Sequence, residues 1–265
     1  MHVITLTTDF GSDAEYSAAM KGVLLNINPE IKIIDITHSI KPQNVRQGAY
    51  ILYSVVPYFK NAIHISVVDP GVGTARTGII FKCHSGVLVG PDNGLLYPAA
   101  ERLGIVSVYK ITNQGFYLKN VSSTFHGRDI FAPIAAHLST GTSPDELSEP
   151  IDEYVKLNLF DIKETDEMIH GKVLNIDSFG NIITNIPKNI IARILNEEAE
   201  QPIEINHDGQ TWSLPFKSIY GSVSTGELLA IMSSSGFLEI AGNQCNASEK
   251  LNVKINDDII FKKSI

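Results

Sequence analysis

Cysteine is scarce in this chain. The two present, Cys83 and Cys245, lie far apart and in no CxxC pair, so neither a disulfide framework nor a zinc knuckle is indicated. Such usage fits a reducing cytoplasm. Long apolar runs are missing too, none reaching the roughly 18 residues that a membrane span requires. The opening MHVITLTTDFGSD has no basic start and no cleavage site, which predicts a soluble cytoplasmic protein. Positive charge is in deficit, with 21 Lys and Arg against 29 Asp and Glu and a formal net charge of −8. That balance argues against nucleic acid or an anionic membrane surface as partner, and suits a small cationic ligand better. No phosphate loop, GxSxG elbow, internal repeat or low-complexity tract appears. His38, His64, His84 and His137 have no partners at metal-ligand spacing such as HxxxH and read as packing or surface residues, so no metal is expected.

What is present suffices for a full core: 265 residues, 43% hydrophobic, enough for one large or two smaller domains. Strand-like and helix-like segments alternate as far as about residue 140. VITLT (3–7) reads as a strand ending at Asp9, and Ser12 with Glu15 three residues later reads as a capping box for a helix reaching about Asn26. IKIIDIT (31–37) and IHISVV (63–68) are further strands, with a helix between them from Gln43 to Val56 that stops at Pro57. TGIIFKC (77–83) and GVLVG (86–90) add two more, followed by a helix at 95–103, a strand at 105–111 and a helix at 129–139. This pattern predicts an α/β domain over residues 1–160 whose largely parallel sheet is sandwiched by helices. SPDELSEP and DIKETDEM (161–168) read as loop and linker. Over 168–265 come closely spaced strands, namely GKVLNID, NIITNI, PIEIN, TWSLPF, LLAIMS, FLEIAG, LNVKI and DIIFKK, with one helix at about 187–196. His207-Asp208-Gly209-Gln210 reads as a hairpin connection, and the whole predicts a smaller C-terminal β-barrel.

Polar residues cluster where these elements end. In SVVDPGVGTAR (66–76), Asp69 leaves a buried strand at its carboxyl end, where open α/β sheets bind ligands. Pro70 and Gly71 stop the strand, Gly73 allows close backbone approach, and Arg76 returns a fixed positive charge to Asp69. Asp9 ends the first strand, and with Ser12 assigned to the helix it is free to hold a ligand hydroxyl pair. In TFHGRD (124–129), Asp129 reads as an N-cap with Arg128 as its surface partner, while His126, between an aromatic residue and a glycine, points to function. Asp177-Ser178-Phe179-Gly180-Asn181 reads equally as a hairpin turn or as a site. Asp92-Asn93-Gly94 reads as a structural turn, and Tyr220 and Ser233-Ser234-Ser235 as strand-end polar groups. Taken alone, Asp9, Asp69, Arg76 and His126 amount to a hydrolase or transferase with a polar pocket.

Seven segments resemble, in order and across nearly the whole chain, one known family: TTDFGSDAEY, DITHSIKPQNVRQGA, VVDPGVGTAR, GPDNGLL, TFHGRDIFAP, IDSFGNIITNI and SSSGFLEIAGNQCNA. The sequence is similar to the S-adenosyl-L-methionine (SAM) hydroxide adenosyltransferases, or SAM hydrolases, whose superfamily includes the SAM-dependent fluorinase and chlorinase. The resemblance implies an N-terminal α/β domain, a C-terminal β-barrel and displacement at the 5′ carbon of SAM by water, releasing adenosine and L-methionine with no cofactor or metal. It implies a catalytic triad of Asp69, Arg76 and His126, in which Asp69 and His126 orient the water and accept its proton while Arg76 stabilises hydroxide and lowers the Asp69 pKa. It further implies substrate binding by Asp9 at the ribose hydroxyls, by Phe125, by Phe179 and Asn181 at the adenosyl group, by Tyr220 stacked on adenine, by Asp177 at the methionine ammonium, by Ser234 at the carboxylate, and by Asn243. The family's homotrimer, with sites at subunit interfaces, is implied as well.

Departures from the halogenases favour the hydrolase. Gln43, His126 and Gly127 stand where those enzymes carry aromatic, Tyr and Ser residues, and Asp69 replaces another tyrosine. A carboxylate there repels a halide. Ser235 stands in place of a halogenase arginine, and Cys245 reads as a small-residue position without a chemical role. The alternatives are a SAM-dependent halide adenosyltransferase, a non-catalytic SAM or adenosine binding protein and, last, a metal-dependent hydrolase using Asp9, Asp69 and His126.

Overall fold

The computed structural model describes residues 3–194 and 202–262, and the chain divides into two compact units, Met1–Leu157 and Asn158–Ile265. In the first unit seven strands, β1 (Val3–Thr8), β2 (Lys32–Thr37), β3 (Ala62–Val67), β4 (Gly78–Cys83), β5 (Gly86–Pro91), β6 (Ile105–Ile111) and β7 (Ser148–Pro150), form one sheet in the order β2-β1-β3-β5-β4-β6-β7. The pairs β1–β2, β1–β3 and β3–β5 are parallel, whereas β4–β5, β4–β6 and β6–β7 are antiparallel. The sheet is therefore mixed rather than largely parallel. The reason is legible afterwards: only His84 and Ser85 separate β4 from β5, and a two-residue link can make only a hairpin.

Helices α1 (Glu15–Ile27), α2 (Val45–Val55), α3 (Tyr97–Leu103), α4 (Ala132–Ser139) and α5 (Pro144–Leu147) complete this unit. Every residue of β3 is buried. Its apolar Ile63, Ile65 and Val67 join Ile4 and Leu6 of β1, Met20 and Leu24 of α1, and Ile134 and Ala135 of α4 in one core. Alternate residues point the other way, as a strand's period of two requires, and among them His64 accepts or donates at 2.8 Å to the Thr5 hydroxyl.

Three local expectations need correction. The α1 helix starts at Glu15 with Ala14 at the N-cap and no side-chain cap, because the Ser12 hydroxyl turns to Asp13 instead. Asp129 caps nothing: it lies within a π-helical turn, Gly127–Phe131, that leads into α4. SPDELSEP is not a loop, since Ser143 and Glu146 form a capping box for α5 and the chain continues as β7.

The second unit holds β8 (Lys163–Glu164), β9 (Met168–Ile176), β10 (Ile182–Pro187), β11 (Ile203–His207), β12 (Gln210–Leu214), β13 (Leu228–Met232), β14 (Phe237–Gly242) and β15 (Asp258–Lys262). Their path is β12-β11-β15-β9-β10-β14-β13, with β8 on β9. Lys217 N donates to Ala230 O at 2.9 Å and Ala230 N to Pro215 O at 3.0 Å, drawing the two ends of the path together into a nearly closed, antiparallel, barrel-like sheet. Ile169, Val173, Ile182, Ile205, Leu238, Ile240 and Phe261 fill it. The β11–β12 hairpin turns on Asp208 and Gly209, with φ of 49° and 77°, the signs a type I′ turn requires. Besides α6 (Lys188–Ile194) there is a second helix, α7 (Ala247–Leu251), where Asn246 accepts from Glu249 N at 3.1 Å. Its last residue opens LNVKI, which is therefore not a strand; Asn252 ends the helix at φ 52°. The final residues of the expected helix at 187–196 lie outside the described residues.

Burial pushes the His64 imidazole down to about 4 from 6.5. A base that resists protonation only when folded stabilises the fold above the unfolded value and loses that contribution as pH falls. Unfolding free energy should therefore decline by about 3 kcal/mol between roughly pH 6.5 and 4 relative to His64→Gln, and denaturant titrations of the two proteins across that range provide the check.

Candidate active site

Because β1 and β3 are parallel neighbours with Thr8 opposite Val67, Asp9 and Asp69 leave the same end of the sheet from adjacent strands. The loop after Asp69 returns through a short turn, Val72 N donating to Asp69 O at 3.2 Å and Thr74 N to Gly71 O at 3.2 Å. This brings Arg76 back onto the carboxylate. Arg76 Nε donates to Asp69 Oδ1 at 3.1 Å, Nη2 donates to Asp69 Oδ2, and Nη1 donates to Thr77 O at 3.1 Å. The Phe131 ring lies 5.3 Å from the guanidinium carbon. The two side chains are withdrawn from water, at 9% and 5% exposure.

Arg76 Nη2 also donates to His126 Nδ1 at 3.0 Å. Guanidinium has no lone pair to offer, so Nδ1 is the acceptor and the neutral imidazole carries its proton on Nε2. Burial, helped by Arg76, lowers the His126 pKa. Asp69 moves up, not down: desolvation outweighs the opposing pull of the Arg76 charge and hydrogen bonds. The expectation that Arg76 would depress it considered the charge without the burial. Asp92 is raised as well, through burial, and it accepts from Val155 N at 2.9 Å.

Around these groups the structure shows partners that sequence reasoning did not supply. Asp9 Oδ2 accepts from Gln43 N at 2.8 Å, a bond that depends on Gln43 adopting φ 65°. Phe125 meets Phe10 at 5.7 Å and Tyr16 at 5.2 Å, both edge-on, and Arg128 stacks on its ring at 4.9 Å. Asp129 is fully buried, accepting from Ser122 N at 2.8 Å and from Arg128.

The second unit has a cavity of about 630 Å³ lined by Asp177, Phe179, Asn181, Tyr220 and the turn Gly242–Asn246. Asp177 organises its wall. Its carboxylate accepts from Phe179 N and Asn181 N, each at 2.9 Å, and from Asn181 Nδ2 at 3.0 Å. Phe179 thereby projects, 76% exposed, while Asn181 is buried. Gly180, at φ 86°, has no room for a Cβ beside the Asn246 side chain. Tyr220 donates to Glu239 Oε1 at 2.9 Å, and burial with that bond pushes its hydroxyl up to about 12. Asn243 lines the cavity with its amide nitrogen donating to Val223 O at 2.7 Å. Gln244, Cys245 and Asn246 line it too, and the sequence reading gave none of them a role. Ser234 is exposed and outside the lining.

The first unit thus presents a carboxylate, a guanidinium and a neutral imidazole at one sheet end, the equipment of an enzyme that handles water or a proton, and the second presents an aromatic-rimmed cavity with a carboxylate in its wall. Family models agree with that class. Residues 4–148 match the SAM hydroxide adenosyltransferase N-terminal domain and residues 171–260 the corresponding C-terminal domain, and the chain belongs to this family. It is 41% identical to an (R)-S-adenosyl-L-methionine hydrolase of Methanocaldococcus jannaschii over 98% of this chain and 95% of that protein. A fluorinase of Nocardia brasiliensis is more distant, at 25% identity over 98% of this chain and 96% of its own. A solved structure of an uncharacterized conserved protein from Thermotoga maritima superimposes with a TM-score of 0.90 and 37% identity, covering 98% and 99% of the two chains.

Gly73 tests how tightly the Arg76 loop is built. It sits at φ 76°, where an added Cβ would overlap the Ser123 carbonyl oxygen, whereas a Cβ on Gly71 would make ordinary contact with Arg76 Cβ at 3.5 Å. Gly73→Ala should cost about 1–3 kcal/mol in urea unfolding and Gly71→Ala no more than about 0.5 kcal/mol.

Proposed function

We propose that this protein hydrolyses SAM to adenosine and L-methionine. The observation that carries the reading is the buried Asp69 bound by Arg76 with His126 behind it, in a chain of this family more similar to a named hydrolase than to a named fluorinase. Water oxygen attacks the 5′ carbon, the carbon–sulfur bond breaks, and its electron pair stays on sulfur, turning sulfonium into the neutral thioether of methionine. One proton is released. Such a displacement needs mainly alignment and the exclusion of bulk water. Asp69 is the proton acceptor: its raised pKa makes it a better base than an ordinary surface carboxylate, although Arg76 keeps it oriented. His126 cannot take the proton at Nε2 while Nδ1 accepts from Arg76, so it serves as a hydrogen-bond donor to the oxygen nucleophile. The earlier expectation that both residues accept a proton is narrowed accordingly.

Substrate contacts follow the resemblance, with Asp9 and Phe125 in the first unit and Asp177, Phe179, Asn181, Tyr220, Ser234 and Asn243 in the second. The cavity geometry supports Phe179, Asn181 and Tyr220 as an adenine-binding group, base stacking on an aromatic ring contributing roughly 1–3 kcal/mol. The Asp177 carboxylate suits an ammonium. A cytoplasmic location and a homotrimer belong to the same proposal, the latter checked by light scattering on the purified chain. No helix among the described residues is long and apolar enough to cross a membrane.

The experiment is a mass-spectrometric product assay in ¹⁸O-labelled water, with and without chloride and with excess EDTA. Labelled adenosine and methionine are expected under every condition. Chloro-deoxyadenosine would establish the halide transferase instead, bound but unchanged SAM a binding protein, and loss with EDTA a metal-dependent hydrolase. Given the relative's name, the (R)-sulfonium epimer should be consumed faster than the (S). Asp69→Asn should lower kcat by about 10²-fold or more, as loss of a general base does; a variant within threefold of wild type would remove Asp69 from the chemistry.

A further inference from the structure

Glu239 has no role in the reading above, yet it is the least expected side chain near the barrel cavity. It lies on β14, opposite Ile183 of β10 and Ile231 of β13, so its backbone is fixed by strands on both sides. It is 5% exposed. Among the described residues no lysine, arginine or histidine forms an ion pair with it. Its side-chain hydrogen-bond partner is the Tyr220 hydroxyl, at 2.9 Å, and the negative charge of Asp177 acts on it unfavourably. A carboxylate buried beside like charge and without a cation costs stability, and an apolar residue of similar size would ordinarily serve a barrel wall better. Stability alone does not account for this residue.

The other end of the bond suggests what does. Tyr220 opens a single 3-10 turn, Tyr220–Ser222, and is 45% exposed, so neither a long helix nor close packing holds its ring. It nevertheless lines the cavity with Phe179 and Asn181. A ring on a short exposed turn samples several rotamers, and each one lost on binding weakens the complex. A hydroxyl tied to a point on a central strand removes that freedom beforehand.

We propose that Glu239 is a positioning residue that holds the Tyr220 ring in the orientation the ligand requires. The inference rests on reading this cavity as the adenosyl site. It makes the tyrosine hydroxyl functional through its anchor, not through contact with substrate.

Steady-state kinetics with SAM on the full chain test it. Losing one anchoring hydrogen bond should raise KM about fivefold in Glu239→Leu with kcat within about twofold. Glu239→Gln, which keeps an acceptor for the hydroxyl, should stay within about twofold of wild type in both parameters. Tyr220→Phe should reproduce the Leu variant, and the double variant Tyr220→Phe with Glu239→Leu should be no worse than either single one, because both break the same bond. An unchanged KM in Glu239→Leu accompanied by a shifted melting temperature would show a purely structural role and overturn the proposal; so would equal losses in Leu and Gln, or additive effects. Should the Leu variant fail to fold, Tyr220→Phe decides alone, an unchanged KM counting against the anchor. Wild type without turnover of SAM would bring down the functional reading and this inference with it, an outcome distinct from an active wild type whose variants break the pattern.

Discussion

A guanidinium and a carboxylate taken out of water together govern the end of the first unit's sheet. Arg76 and Asp69 could each be buried only with the other present, since removing one partner leaves a charge whose desolvation costs several kcal/mol. Both oxygens of Asp69 are met by Arg76 nitrogens, and the remaining nitrogen of the fork turns to the Thr77 carbonyl. The geometry of the loop follows from this requirement. A chain leaving β3 must reverse within seven residues to place Arg76 on Asp69, and Gly73, at φ 76° against the Ser123 carbonyl, is the position where that reversal requires a glycine. Phe131 supplies the apolar floor, and the π-helical turn that presents Phe131 also presents His126 at its start. One ion pair thereby fixes three functional groups and the tautomer of the third.

Much of the fold could be read from periodicity. Runs such as IHISVV and FLEIAG are apolar, β-branched and bounded by turn residues, and they form strands where expected. What failed did so for local reasons. Ser12 and Glu15 have the spacing of a capping box, but Asp13 competes for the serine hydroxyl, and a motif of two residues cannot register a competitor. LNVKI alternates like a strand, yet its first residue completes a helix nucleated by Asn246, because a cap fixes several backbone groups at once while a five-residue alternation fixes none. The parallel reading of the sheet neglected linker length, although the two residues between β4 and β5 were visible throughout.

The site was legible in a different way. Asp69, Arg76 and His126 stand out by position and chemistry, and the structure brings them together. Their energetics were not legible, because charge is written in a sequence and burial is not. Asp69 shows this directly: proximity to Arg76 predicts a depressed pKa, and the low exposure of both groups reverses the direction. The bond from Gln43 to Asp9, and Glu239 altogether, were missed for a related reason. Gln43 acts through its backbone N–H at a left-handed φ, and Glu239 acts from inside a strand that reads as an ordinary half-apolar run.

Two kinds of polar residue emerge, and the difference bears on how each binding surface is built. Asp177 is a local organiser: its carboxylate is bonded within its own five-residue turn. Asp69 and Glu239 are long-range. Their partners lie seven and nineteen residues away; Arg76 is returned to Asp69 by the loop that follows β3, whereas β13 separates Tyr220 from Glu239. Local organisers can be found from spacing, since the bond and the motif are the same few residues. The Glu239–Tyr220 bond requires the fold, and so does the reach of Arg76 Nη2 to His126 Nδ1, which sets the tautomer of that ring.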